Sequence, residues 1–90
     1  MPEITDNKAK NRFEMHVEGR IAFIVYRRQP ASIVLLHAEV PPELEGRGIG
    51  SRLVKATLES IRAEGLTVVP RCPFIAAFIH KNPANGPIEL

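Results

Sequence analysis

The sequence has one cysteine, Cys72, so no disulfide can form within the chain; this fits a reducing compartment and leaves the thiol free for chemistry or for packing. Long apolar runs are also missing. The longest, Ile21 to Tyr26 and Phe74 to Ile79, fall far short of the roughly 20 residues that span a bilayer. The segment Met1-Pro2-Glu3-Ile4-Thr5-Asp6 has no signal-peptide apolar region, so a cytoplasmic protein without a membrane segment is expected. Aromatic residues are only 6% of the chain and the formal net charge is only +2. With no basic stripe interleaved with aromatics, nucleic acid is not favoured as a partner. A single cysteine and three scattered histidines supply no plausible metal-ligand set. Internal repeats, low-complexity segments and linkers are absent too.

What is present is ordinary for a globular chain. With 90 residues, 44% hydrophobic and 24% charged, one domain covering residues 1–90 is expected, with a polar, aperiodic leader over 1–9. From Arg12 the pattern has period two: Phe13, Met15 and Val17 face one side, and Glu14, His16 and Glu18 the other, as a half-buried strand requires. Glu18-Gly19 offers a tight turn into the β-prone run Ile21 to Tyr26, and Gln29-Pro30-Ala31 separates that run from a third, Ile33 to Val40. Pro41-Pro42 ends the third strand. Leu53, Val54, Thr57, Leu58 and Ile61 then recur at helical spacing, which predicts a helix over 48–64 with Gly65 as its stop. Leu66 to Val69 reads as a short buried strand, parallel to the third because a helix intervenes. Pro73 opens a second helix over Phe74 to Lys81, closed by Asn82-Pro83.

The loop Glu45-Gly46-Arg47-Gly48-Ile49-Gly50 sits between a strand and a helix. Glycines at alternate positions let backbone N–H groups point into one concavity, and the helix dipole adds partial positive charge there, which together suit an anion. Arg47, Arg52 and Lys55, with a sequence pI near 9.0, add to that preference. Counting excludes two better-known nucleotide motifs. A Walker loop from Gly46 would need glycine at Ser51 and lysine at Arg52, and the dinucleotide fingerprint would put its third glycine on Ser51 or Leu53.

The stretch from Val40 through the glycine loop to Val54 resembles the acetyl-CoA loop of the GNAT superfamily, whose pattern of Gln or Arg, any two, Gly, any, Gly or Ala falls on Glu45 to Gly50. The blocks His37-Ala38-Glu39-Val40-Pro41-Pro42, Cys72-Pro73-Phe74 and Phe78-Ile79-His80-Lys81-Asn82-Pro83 are similar to the short single-domain branch of that superfamily. The resemblance spans residues 12 to 83. It implies an α+β fold: three antiparallel strands, a helix crossover to a parallel strand, and a short C-terminal helix. It also implies an acetyl-CoA-dependent N-acetyltransferase whose acceptor is the amine of a small molecule, protein or peptide. The residues it assigns to the cofactor are Val40, Glu45, Gly46, Arg47, Gly48, Ile49, Gly50, Ser51, Arg52, Phe74, Phe78 and Lys81. Glu45 departs from the pattern, and a carboxylate beside a pyrophosphate is repelled, so it is expected to turn outward and contribute only backbone. The short branch lacks two helices that usually help form the acceptor site, so the acceptor is not carried over. A non-catalytic acyl-CoA-binding module is the alternative reading.

Three residues are candidates for the chemistry. In the short branch a cysteine before proline faces the thioester, which points to Cys72, where a helix N-terminus and Arg71 favour a nucleophilic sulfur. His37 and Glu39 lie two apart on the third strand, hence on one face, near the strand ends where ligands of parallel sheets bind. An ammonium acceptor must lose a proton before it attacks, and His37 has a suitable intrinsic chemistry, with Glu39 assisting directly or through water. Direct attack on acetyl-CoA and transfer through an acetylated Cys72 both remain open.

Overall fold

The computed structural model describes residues 4–82 and Ile88. In chain order it has β1 (Thr5–Asn7), β2 (Arg12–Val17), β3 (Arg20–Arg28) and β4 (Ser32–Glu39), followed by a single 3-10 turn at Pro42–Leu44. Then come α1 (Ile49–Ala63), β5 (Thr67–Pro70) and α2 (Pro73–Lys81). The five strands form one sheet in the order β1-β2-β3-β4-β5. Neighbours are antiparallel except β4 and β5, which run parallel because α1 carries the chain back across the sheet. Among the described residues no helix is long and apolar enough to cross a membrane.

The sheet has four antiparallel strands where three are expected, because Thr5–Asn7, read as part of a loose leader, form β1. Its polar residues carry no apolar period, yet they have partners. Tyr26 donates its hydroxyl to Asp6 at 2.6 Å, Arg28 reaches Asp6 at 2.8 Å and Glu64 at 3.1 Å, and the Asn7 amide donates to Glu14 at 3.1 Å. Arg28 thus ties β1 to β3 and to the end of α1. Met1, Pro2 and Glu3 of the expected leader, and Pro83 of the expected stop, lie outside the described residues.

One face of the sheet packs against both helices. Phe13 and Met15 of β2, Ile24 and Tyr26 of β3, and Ile33 and Leu35 of β4 share a core with Leu53, Val54, Leu58 and Ile61 of α1 and with Ile75 and Ile79 of α2. The period-two and helical patterns of the sequence both converge on this layer. α1 ends as Gly65 predicts, with the Leu66 N–H bonded back to the Ile61 carbonyl at 3.4 Å.

The other face holds Phe23, Val25 and Val34, half-buried and outside that core. Glu14 is on this face but is not exposed as the alternation predicts. Only 6% of it is accessible, because β1 covers it and Arg12, Asn7 and His16 hold its carboxylate at 2.5, 3.1 and 3.3 Å. The Arg12 guanidinium in turn lies 4.4 Å from the centre of the Phe23 ring.

Two outcomes follow for stability. Thr57 is fully buried in α1 and its hydroxyl has no hydrogen-bond partner. Thr57→Val keeps the shape and removes that group, so stability should rise by about 1 kcal/mol, read as an increase of roughly 4–8 °C in Tm for a chain of this size. Hydrogen bonding to Arg12, foremost, and to Asn7 and His16 holds the Glu14 carboxyl below its ordinary value of 4.5, against the opposing effect of burial. A depressed carboxyl contributes stability above its unfolded value and loses it as pH falls through the folded one. Acid unfolding below pH 4.5 should therefore be less steep in Glu14→Gln than in the parent chain.

Candidate functional site

The site is made where two parallel strands part. Their ladder runs from Ser32↔Thr67 to Leu35↔Pro70 and stops. At that point the Leu35 carbonyl accepts two N–H groups, from Arg71 at 2.9 Å and Cys72 at 3.2 Å, as the chain leaves β5 for α2. β4 continues along β3 alone, pairing His37 with Val25, Ala38 with Ile24 and Glu39 with Phe23. The register shifts between Val25 and Tyr26, which leaves Leu36 as an extra residue, 40% exposed. A bulge of this kind bends its strand, here at the position where β4 has lost β5. The gap lies beyond the carboxyl ends of the two parallel strands, the place where such sheets bind ligands.

The glycine loop closes one side of this gap. Leu44 is buried and anchors the 3-10 turn, its N–H donating to the Pro41 carbonyl at 2.9 Å. Gly46 and Gly48 then adopt φ of +79° and +72°, left-handed conformations that side chains disfavour. Gly48 is the N-cap of α1 and provides no side-chain cap; the first helical bond runs from the Arg52 N–H to the Gly48 carbonyl at 3.1 Å. The N–H groups of Ile49, Gly50 and Ser51 precede that bond, at the electropositive end of a 15-residue helix. This donor set suits an anionic ligand. Gly50 also admits α2 closely, since a Cβ there would stand 3.0 Å from the tip of the Phe74 ring.

A cleft of about 320 Å³ lies alongside, lined by Ala38, Glu39, Val40, Glu45, Gly50, Leu53 and Phe74. Among the described residues that line it, two are acidic, Glu39 and Glu45, and none is basic. Among the other residues expected at the cofactor, Ser51 and Arg52 are exposed on the first turn of α1, Phe78 packs against the core, and Lys81 is exposed in the last turn of α2. The Arg47 guanidinium is bonded to Glu18 in the β2–β3 turn, which raises the affinity of Arg47 for its proton and lowers that of Glu18. A second pair, Arg20 with Glu43 at 3.1 Å, joins the same turn to the same loop with the opposite polarity. The sequence marks Glu18-Gly19 as a turn, but no local rule says which distant loop its charges will meet.

His37 and Glu39 stand together, Nε2 and Oε1 3.7 Å apart and each side chain 60% exposed. Their strand partners Val25 and Phe23 put them on the outer face of the sheet. Cys72 takes the opposite side: it is the N-cap of α2, 7% exposed, and belongs to the core between the sheet and the helices. The structure thus unites His37 with Glu39 and sets Cys72 at the same strand ends on the core side.

Residues 12–86 match the family described as GCN5-related N-acetyl-transferase. Over 89 residues the chain is 31% identical to Protein NATD1 of Bos taurus, covering 96% of this chain and 79% of that protein. The identity to Protein NATD1 of Xenopus tropicalis is 35% over 89 residues, covering 96% and 82%. For Protein NATD1 of Homo sapiens it is 30%, covering 96% and 79%.

The loop geometry makes its own prediction about stability. Gly48→Ala places a side chain in the left-handed region and should cost about 1–2 kcal/mol in denaturant unfolding. Gly50→Ala meets only the far end of the Phe74 ring and should cost less than Gly48→Ala.

Proposed function

The chain belongs to the GCN5-related N-acetyltransferase family, and from that membership we propose that it transfers an acetyl group from acetyl-CoA to an amine. The observation that carries this reading is the parting of β4 and β5 at Leu35. At that opening lie the first N–H groups of α1 and, on the outer face, His37 and Glu39, with Cys72 at the same strand ends on the core side; this arrangement supports the reading.

The residues present fit the donor. The N–H groups of residues 49 to 51 offer the pyrophosphate hydrogen bonds and a favourable helix dipole, and Val40, Leu53 and Phe74 give an uncharged arm an apolar wall. When bound, acetyl-CoA supplies a thioester carbonyl open to nucleophilic attack. Glu45 and Glu39 contribute negative charge to the cleft, which favours an ammonium and disfavours phosphate. The pyrophosphate therefore relies on backbone donors of the loop, with Arg52 exposed on the same turn.

An alkylammonium has a pKa near 10.4, so about one molecule in a thousand or fewer is nucleophilic at neutral pH. His37, with the Glu39 carboxylate 3.7 Å away, accepts that proton on the open outer face. With acetyl-CoA held there, its acetyl carbon would pass from sulfur to the amine nitrogen; of the two protons the ammonium loses, the one on His37 would go to solvent and the second would go to the departing thiolate. Direct attack is the route we favour, because the acid–base pair is open to solvent whereas Cys72 is buried among core residues.

Two sets of variants test this reading. Replacing Gly48 and Gly50 together by valine should abolish CoA binding in the folded protein, and retained affinity would sink the loop assignment. His37→Gln should lower the turnover number by about 100-fold with CoA affinity nearly unchanged, and equal losses in both would make His37 structural. Cys72→Ala should keep most of the activity. An acetyl group found on Cys72 by mass spectrometry when acceptor is withheld would overturn direct attack. CoA binding without CoA release for any amine would leave an acyl-CoA-binding module.

A further inference from the structure

The acceptor has to reach His37 and Glu39 from the outer face of the sheet, and the residues beside them on that face are apolar. Val25 is the cross-strand partner of His37, and Phe23 that of Glu39. Directly opposite partners lie about 4.5–5.5 Å apart and share a face, so the two side chains form a floor running from the acid–base pair across β3. Both are half-buried, neither belongs to the core under the helices, and both helices pack on the other face.

The floor ends one strand further on, about 9–10 Å from β4. There Val25 is paired with Arg12 and Phe23 with Glu14. This rim has little to offer a cation. The Glu14 carboxylate is already held by Arg12, Asn7 and His16, and the Arg12 guanidinium lies over the Phe23 ring. The near end is the reverse, with Glu39 60% exposed beside His37 and Glu45 in the adjoining cleft. Charge along the floor is thus uneven: accessible carboxylate at the reacting end, and a closed Arg12–Glu14 ion pair at the far end.

We propose that the acceptor is a monoamine carried on a short apolar chain, its nitrogen at His37 and Glu39 and its carbon body on Val25 and on the part of Phe23 that the Arg12 guanidinium leaves open. The proposal rests on the acetyltransferase reading and adds the substrate class to it. A second ammonium at the far end of the chain would give up water beside an Arg12–Glu14 pair whose carboxylate is already satisfied, so α,ω-diamines are selected against. Hydroxylated amines forfeit the apolar contact.

The test compares kcat/KM for n-butylamine, n-hexylamine, 1,6-diaminohexane and ethanolamine, using CoA release from acetyl-CoA by the full chain. Burial of a methylene is worth about 0.8 kcal/mol, which is roughly a fourfold gain per added carbon. n-Hexylamine should therefore exceed n-butylamine by about tenfold or more. It should exceed 1,6-diaminohexane by a similar factor. In Val25→Thr, a near-isosteric change on a strand, the ratio of n-hexylamine to n-butylamine should fall towards one. Titrating the CoA-saturated protein with n-hexylamine should shift the NMR signals of Val25 and Phe23, a readout independent of turnover. Equal rates for the diamine, a flat dependence on chain length, or unmoved Val25 and Phe23 signals each overturn the proposal while CoA release still supports acetyl transfer. Failure of every amine to release CoA overturns both.

Discussion

The carbonyl of Leu35 accepts the last two N–H groups that leave β5, and from that residue onward β4 has a partner on one side only. A strand that loses a neighbour inside a sheet leaves its edge open, which a folded protein ordinarily pairs or covers. Here the opening is kept by three local features. The extra residue Leu36 bends β4, Pro73 starts α2 immediately after β5, and Pro41 and Pro42 stop β4 from extending. Every candidate functional group in the molecule takes its position from that opening. The glycine loop hangs from the end of β4, Cys72 from the end of β5, and His37 and Glu39 lie on the stretch of β4 that has come free.

Groups suited to ligands of opposite sign lie within this small region and are of different kinds. The electropositive groups are backbone: left-handed Gly46 and Gly48 precede α1, whose N-cap, Gly48, has no side chain to cap its first N–H groups. The electronegative groups are the acidic residues Glu39 and Glu45, which line the cleft next to that loop. Arginine side chains contribute little to the cleft itself. Arg47 and Arg20 are engaged with Glu18 and Glu43, clasping the loop to the β2–β3 turn with two pairs of opposite polarity. Exposed pairs of this kind each contribute about 0–1 kcal/mol, so their effect is on where the loop lies more than on global stability.

The sheet is covered on one side only by the described helices, and the uncovered side is managed by chemistry in place of a second layer. At its β1–β2 end a network of Asn7, Arg12, Glu14 and His16 seals the surface with satisfied polar groups. At its β3–β4 side the apolar residues Phe23 and Val25 stay partly accessible beside His37 and Glu39. A chain of this size has little core to spare, and a single helical layer over one face buries most of what it has.

Local pattern in the sequence determined most of the backbone: the alternation of β2, the β-prone runs of β3 and β4, the helical spacing of α1, and the proline that begins α2. It also marked the glycine loop, because glycines between a strand and a helix have one local consequence wherever the rest of the chain goes. What pattern could not supply was which distant groups meet. Asp6 bonds to side chains 20 and 22 residues away, and Arg47 to one 29 residues away, so β1 and the loop clasp exist only once the sheet has assembled. The separation of Cys72 from His37 and Glu39 was likewise decided by tertiary structure. Side chains on a strand alternate faces, so one extra residue at Leu36 resets which face every following residue presents, and that register is fixed by pairing with β3 rather than by the composition of β4.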